Sequence, residues 1–104
     1  MRNILIVLAL AAAATAAQAA NATAGKAAYD KSCKSCHGAD GTPNAAIAKM
    51  MKVEMRDLKS SDVQATGDDD LKKVITDGKG KMKPIASASS SAADIVAYMR
   101  TWKN

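Results

Sequence analysis

Histidine occurs once in this chain, at position 37, and cysteine only twice, at positions 33 and 36. No second histidine is available to build a separate metal site or to compete with His37, and the three donors fall one short of the four that a structural zinc site takes. A disulfide across two intervening residues closes too small a loop to stabilise much through chain entropy. A thioredoxin-like exchange pair calls for strands alternating with helices, and strand signal is almost absent. Phenylalanine is missing, and two Tyr and one Trp are the only aromatic residues, so stacked bases find no platform. Large aliphatics are scarce as well: beyond residue 19 there are two Leu, four Ile and four Val in about 85 residues. That is the range in which chains begin to look disordered. Protein alone cannot fill such a core, and a domain of this size needs a staple such as a metal, a disulfide or a bound group. The acidic run Asp68-Asp69-Asp70 lacks the ligand spacing of a calcium loop and reads as a helix cap and dipole partner.

One run is strongly apolar, and it is short. Arg2, then Ile4 to Leu10 and the following alanines, then Ala17-Gln18-Ala19 as a small-x-small cleavage site read as a secretory signal peptide over residues 1–19. The run falls below the ~18–20 apolar residues that cross a bilayer, so no membrane span is expected once the signal is cleaved. Residues 20–104 are then expected to form one small exported domain without a linker. The whole chain carries 15 Lys and Arg against 10 Asp and Glu. Arg2 leaves with the signal, so 14 basic residues face the same 10 acidic ones, a formal charge of +4.

Against this spare background, Cys33-Lys34-Ser35-Cys36-His37 stands out as the pattern that attaches c-type haem. On a helical turn, residues i and i+3 share a face, so both thiols can form thioethers to the two vinyl groups of one porphyrin. The adjacent His37 then lies under the iron. A haem buried among side chains would also be the centre that the composition lacks.

The periodicity is helical throughout, in short segments, and predicts an all-α domain. A first helix, capped by Thr23, runs through the alanine-rich stretch around Ala24 to Lys31 into the haem motif. Gly38 to Pro43 break it, Asn44 caps a second helix ending near Lys52, and the stretch from Val53 to Gly67 reads as loop. A third helix opens at Asp68 and stops at Gly78. Gly78 to Pro84 form a loop, and Ser91 caps a last helix with Asp94 at the N3 position of a capping box. The helical spacing of Met50, Met51 and Met99 makes them core filler. Met82 differs, because it stands in a loop whose glycines allow close approach to a flat ring, before a proline that stiffens the exit. It is the best candidate for a second iron ligand, with Met55 the substitute. His37 needs an acceptor for its other ring nitrogen, for which a carbonyl from Gly41-Thr42-Pro43 is the candidate.

These features together resemble the class I c-type cytochromes, small monohaem electron carriers. The likeness rests on the Cys33 to His37 motif, on Met82 in a Gly/Lys-rich loop about 45 positions later, and on Gly25 and Tyr29 facing Tyr98 as a small-plus-aromatic crossing of the terminal helices. The chain departs from many relatives at Lys83, which separates Met82 from Pro84, and in the Ser/Ala-rich segment from Ile85 to Ser91. The resemblance implies a cytochrome c-like fold around one haem c, held covalently by Cys33 and Cys36. It also implies His37 and Met82 as axial ligands, and attachment of the haem outside the bacterial inner membrane.

An iron held by imidazole and thioether is coordinatively saturated, suited to moving one electron and poorly suited to oxygen or peroxide. The expected function is therefore a soluble periplasmic electron carrier, not an enzyme, and monomeric. The alternatives are a haem c subunit of a larger oxidoreductase, or a peroxidase or gas-binding cytochrome with an open sixth site. Lys34, Lys79, Lys81 and Lys83 are expected to border the haem edge and steer redox partners with acidic surfaces, a reductase or a terminal oxidase. No nucleic-acid partner is expected.

Overall fold

The computed structural model describes residues 20–102; the expected signal peptide over residues 1–19 lies outside the described residues. Six α-helices and one 3₁₀ segment follow in order: α1 (Ala22–Ser32), α2 (Lys34–His37), α3 (Ala45–Met51), α4 (Ser61–Ala65), α5 (Asp68–Asp77), the 3₁₀ segment Ala86–Ser91, and α6 (Ala92–Arg100). Among the described residues there is no strand, only an isolated bridge between Lys79 and Met82. The all-α expectation holds. No helix among the described residues is long and apolar enough to cross a membrane.

The helix ends show which local signals won. Asn21, not Thr23, caps α1: its side-chain oxygen accepts from the Thr23 and Ala24 amides at 2.9 and 3.2 Å. Asn44 caps α3 as expected, accepting from Ala46 and Ile47, and Lys52 closes that helix in the left-handed region at φ 54°. Gly67 takes the N-cap of α5 without a side-chain bond. The three aspartates therefore occupy the first helical turn, where they meet the positive end of the helix dipole, rather than the cap. Ser91 precedes α6 but makes no capping bond. Asp94 does not reach back to it either; its carboxylate accepts the Asn21 amide at 2.8 Å and ties the start of α1 to α6. The segment from Val53 to Gly67, expected as loop, contains α4. That helix is capped by the Ser60 hydroxyl and held by Gln64, a buried amide that donates to the carbonyls of Leu58 and Met99 at 2.9 and 3.0 Å.

The first and last helices pack across each other. At the crossing, a Cβ on Gly25 would collide with the Asp94 carbonyl, so only glycine lets the two backbones come this close. One turn further on, Tyr29 is wholly buried and meets Tyr98 and Trp102 edge-on, with centroids 5.5 and 5.3 Å away. Pairs of this geometry add roughly 0.5–1.5 kcal/mol each beyond the area they bury. Ile75, Ala88, Ala92, Ile95, Val96 and Met99 complete the core around them. Arg100 then pins the approach to α5. Its guanidinium donates to the carbonyls of Gln64 and Thr66 and to the Asp68 carboxylate, at 2.6–2.7 Å for the shortest of each.

Candidate functional site

Cys33 lies at the junction of α1 and α2, and Cys36 and His37 lie on the single turn of α2. A four-residue helix has little stability of its own, and two neighbours hold this one. The buried Tyr29 hydroxyl donates to the Gly38 carbonyl at 2.7 Å and to that of His37 at 3.3 Å. From the other side Asn44 donates through its backbone amide to Cys36 and through its side chain to the Ser35 carbonyl, at 2.9 and 3.2 Å. Burial pushes the Cys33 thiol up to about 11, with the neighbouring Cys36 adding to the shift. Burial also lowers the His37 imidazole from its ordinary value, favouring the neutral ring that ligates metals.

His37 Nδ1 is buried with no hydrogen-bond partner. The acceptor expected from Gly41-Thr42-Pro43 is not supplied, and two of the three carbonyls are engaged elsewhere. The Gly41 carbonyl is taken by the Leu58 amide at 3.0 Å, and the Thr42 carbonyl packs against Gly38, where a Cβ would strike it.

A cavity of about 660 Å³ opens beside this turn, lined by three stretches of chain: Ser32, Cys33, Cys36 and His37; Met51 and Val53 to Met55; and Lys79 to Lys83 with Ile85. Its volume lies within the range of cofactor pockets. Backbone hydrogen bonds shape the third stretch and anchor its exit. Lys79 and Met82 exchange backbone hydrogen bonds at 2.9 and 3.0 Å, and the Ile85 amide donates to Ile75 on α5 at 2.9 Å. Gly78, at φ +78°, makes the turn possible: a side chain there would be strained, and its Cβ would fall 2.5 Å from the Met82 carbonyl.

All four residues singled out in the sequence, Cys33, Cys36, His37 and Met82, thus line one cavity, as does Met55. The other methionines divide in a way that helical spacing did not foretell. Met99 is core, 5% exposed, whereas Met50 is 71% exposed and fills nothing. Met51 lines the cavity. Lys79, Lys81 and Lys83 line it too; Lys34 does not. Val53, Glu54 and Ile85 were not anticipated, because no period marks the 53–58 stretch and Ile85 stands alone among small residues.

Over residues 20–99 the sequence matches the family described as cytochrome c oxidase, cbb3-type, subunit III. The chain belongs to this family of c-type cytochromes. A solved structure, the KustC0563 c-type cytochrome, superposes with a TM-score of 0.64 at 26% identity, covering 77% of this chain and 98% of that one. Comparison with the curated proteins returns no match. The expected cytochrome c-like fold is thereby established, and with it a covalently bound haem c and haem-based electron transfer. The residues present in this cytochrome fit the group. Two thiols and an imidazole share a cavity of cofactor size, with thioether sulfurs among its lining residues.

Proposed function

We propose that this cytochrome is a periplasmic carrier that passes single electrons through a haem c attached at Cys33 and Cys36 and ligated by His37 and Met82. The observation that carries the reading is the gathering of these four residues, from segments 45 positions apart, around one cavity. When bound, haem c supplies a one-electron couple. The chain's part is to hold two ligands so that the geometry barely changes between oxidation states. Tyr29 and Asn44 fix the turn that bears His37, and the Lys79–Met82 bridge fixes the backbone that bears Met82. Met82 is favoured over Met55 because the bridge shapes its turn and Ile85 anchors the exit of its loop to α5. A thioether ligand stabilises the ferrous state and raises the potential.

Lys79, Lys81 and Lys83, clustered at the cavity, steer partners with acidic surfaces, and residues 1–19 act as the export signal. The ferric protein should show a sulfur-to-iron charge-transfer band; a high-spin spectrum that binds peroxide or gases directly would overturn the carrier reading. The family's description as an oxidase subunit favours a second reading, a haem subunit held permanently by a larger oxidoreductase. Size-exclusion of the natively purified protein separates the two: a carrier elutes as a monomer, a subunit with its assembly.

A further inference from the structure

Two walls of the cavity, the end of α3 with the residues that follow it and the loop that carries Met82, belong to distant parts of the chain. Among the described residues a single hydrogen bond joins them: Lys81 Nζ donates to the Met51 carbonyl at 2.7 Å, thirty positions away. That carbonyl is the last of α3, where the Ala48 and Lys49 carbonyls already receive the Lys52 amide. The Met51 oxygen has no partner within the helix, as the final carbonyls of any helix lack one. It also lies at the negative end of the helix dipole, where an ammonium is favoured. Lys81 is therefore matched to it by donor chemistry and by charge, and it directly precedes Met82.

The geometry points to Lys81 as a positioning residue, a latch that ties the Met82 loop to α3 and so sets how readily other ligands displace Met82 from the iron. The inference rests on Met82 as ligand. The bridge between Lys79 and Met82 shapes the loop internally but does not fasten it to the opposite wall; Ile85 anchors only its exit, to α5. With the Lys81 contact removed, the loop would be held at its base alone and Met82 could swing away while the fold stays intact. The latch would thus separate an electron carrier from a cytochrome with an accessible sixth position.

Imidazole binding to the ferric holoprotein is the test, followed by loss of the sulfur-to-iron band. Hydrogen bonds to charged groups are the stronger class, but this one is exposed to solvent and falls at the low end of the range. Lys81→Ala is expected to bind imidazole about threefold more tightly than wild type. Lys81→Arg, which keeps both charge and donor, should restore the wild-type value. Lys49→Ala removes the same charge from α3 without touching the contact and should change the affinity less than twofold. If Lys81→Ala matches wild type, or if Lys49→Ala moves as far, the latch is wrong. Met82→Ala runs alongside: if it keeps the sulfur band, the ligand assignment fails and takes the latch with it, whereas loss of the band with an unmoved Lys81→Ala sinks the latch alone.

Discussion

Individual side chains in this cytochrome differ most sharply among the methionines, where one residue type serves as core, rim and surface and, in the proposed reading, as ligand. Met82→Ala should lower the reduction potential and open the iron to added ligands. In the reduced protein's proton NMR spectrum, the strongly upfield methyl resonance of a methionine held over the porphyrin should vanish, and its survival would hand the role to Met55 or Met51. Met99→Ala should instead leave that resonance in place and destabilise the fold by roughly 2–5 kcal/mol in denaturant titration, as expected for truncating a buried side chain. Met50, which is 71% exposed, should tolerate Ala within about 0.5 kcal/mol. The sequence alone could not make this division for Met50, because a helical period says which residues share a face and not which face is covered. The Cys33 to His37 motif was legible for the opposite reason: its chemistry is set by spacing within one turn and needs no knowledge of the rest of the chain.

At the level of helices, the termini carry the interactions that orient α1 and α6. Gly25→Val should cost at least 1–3 kcal/mol, because the added atoms have nowhere to go but into the Asp94 backbone. A wild-type thermal midpoint in that variant would mean the crossing is looser than described. Asn21→Ala should cost about 1 kcal/mol through the lost cap. Asp94→Ala should remove a further, separable contribution, since Asp94 binds the Asn21 backbone amide, which the first substitution leaves in place. Here the sequence was half legible. The helix between Asp68 and Asp77 could be read from periodicity and turn residues, whereas the pairing of Gly25 and Tyr29 with Tyr98 came from the family resemblance. From sequence the cap falls at Thr23, whereas the fold uses Asn21 two positions earlier; both residue types cap well, and composition alone does not decide between them. Asp94 stood at the position of a capping box, but its carboxylate was claimed from across the fold. The helix at Ser61–Ala65 had no amphipathic period to announce it. It exists because Gln64 finds two carbonyls that are neighbours only after folding.

For the molecule as a whole, the protein core lies in the α1–α6 crossing and its immediate neighbours, and the stretches around the cavity have little apolar contact of their own. The apoprotein is therefore expected to be largely unfolded, with weak helical circular dichroism when the chain is produced without haem maturation. Strong, cooperative helix in that sample would show that side chains alone complete the core. Treatment of the mature protein with acidic organic solvent should leave the porphyrin on the polypeptide, and release would refute thioether attachment at Cys33 and Cys36. Substituting both cysteines should abolish holoprotein.

Trp102 is the only tryptophan, and it stands 5.3 Å from Tyr29 and 5.0 Å from Tyr98 at the meeting of the terminal helices. Its emission overlaps haem absorption, so in the folded holoprotein the excited indole should transfer its energy to the porphyrin and remain dark. Parting of α1 from α6 would lengthen that path and light it up. The chain thus carries a built-in optical gauge of whether its two ends are closed, readable in microseconds after rapid mixing without any attached dye.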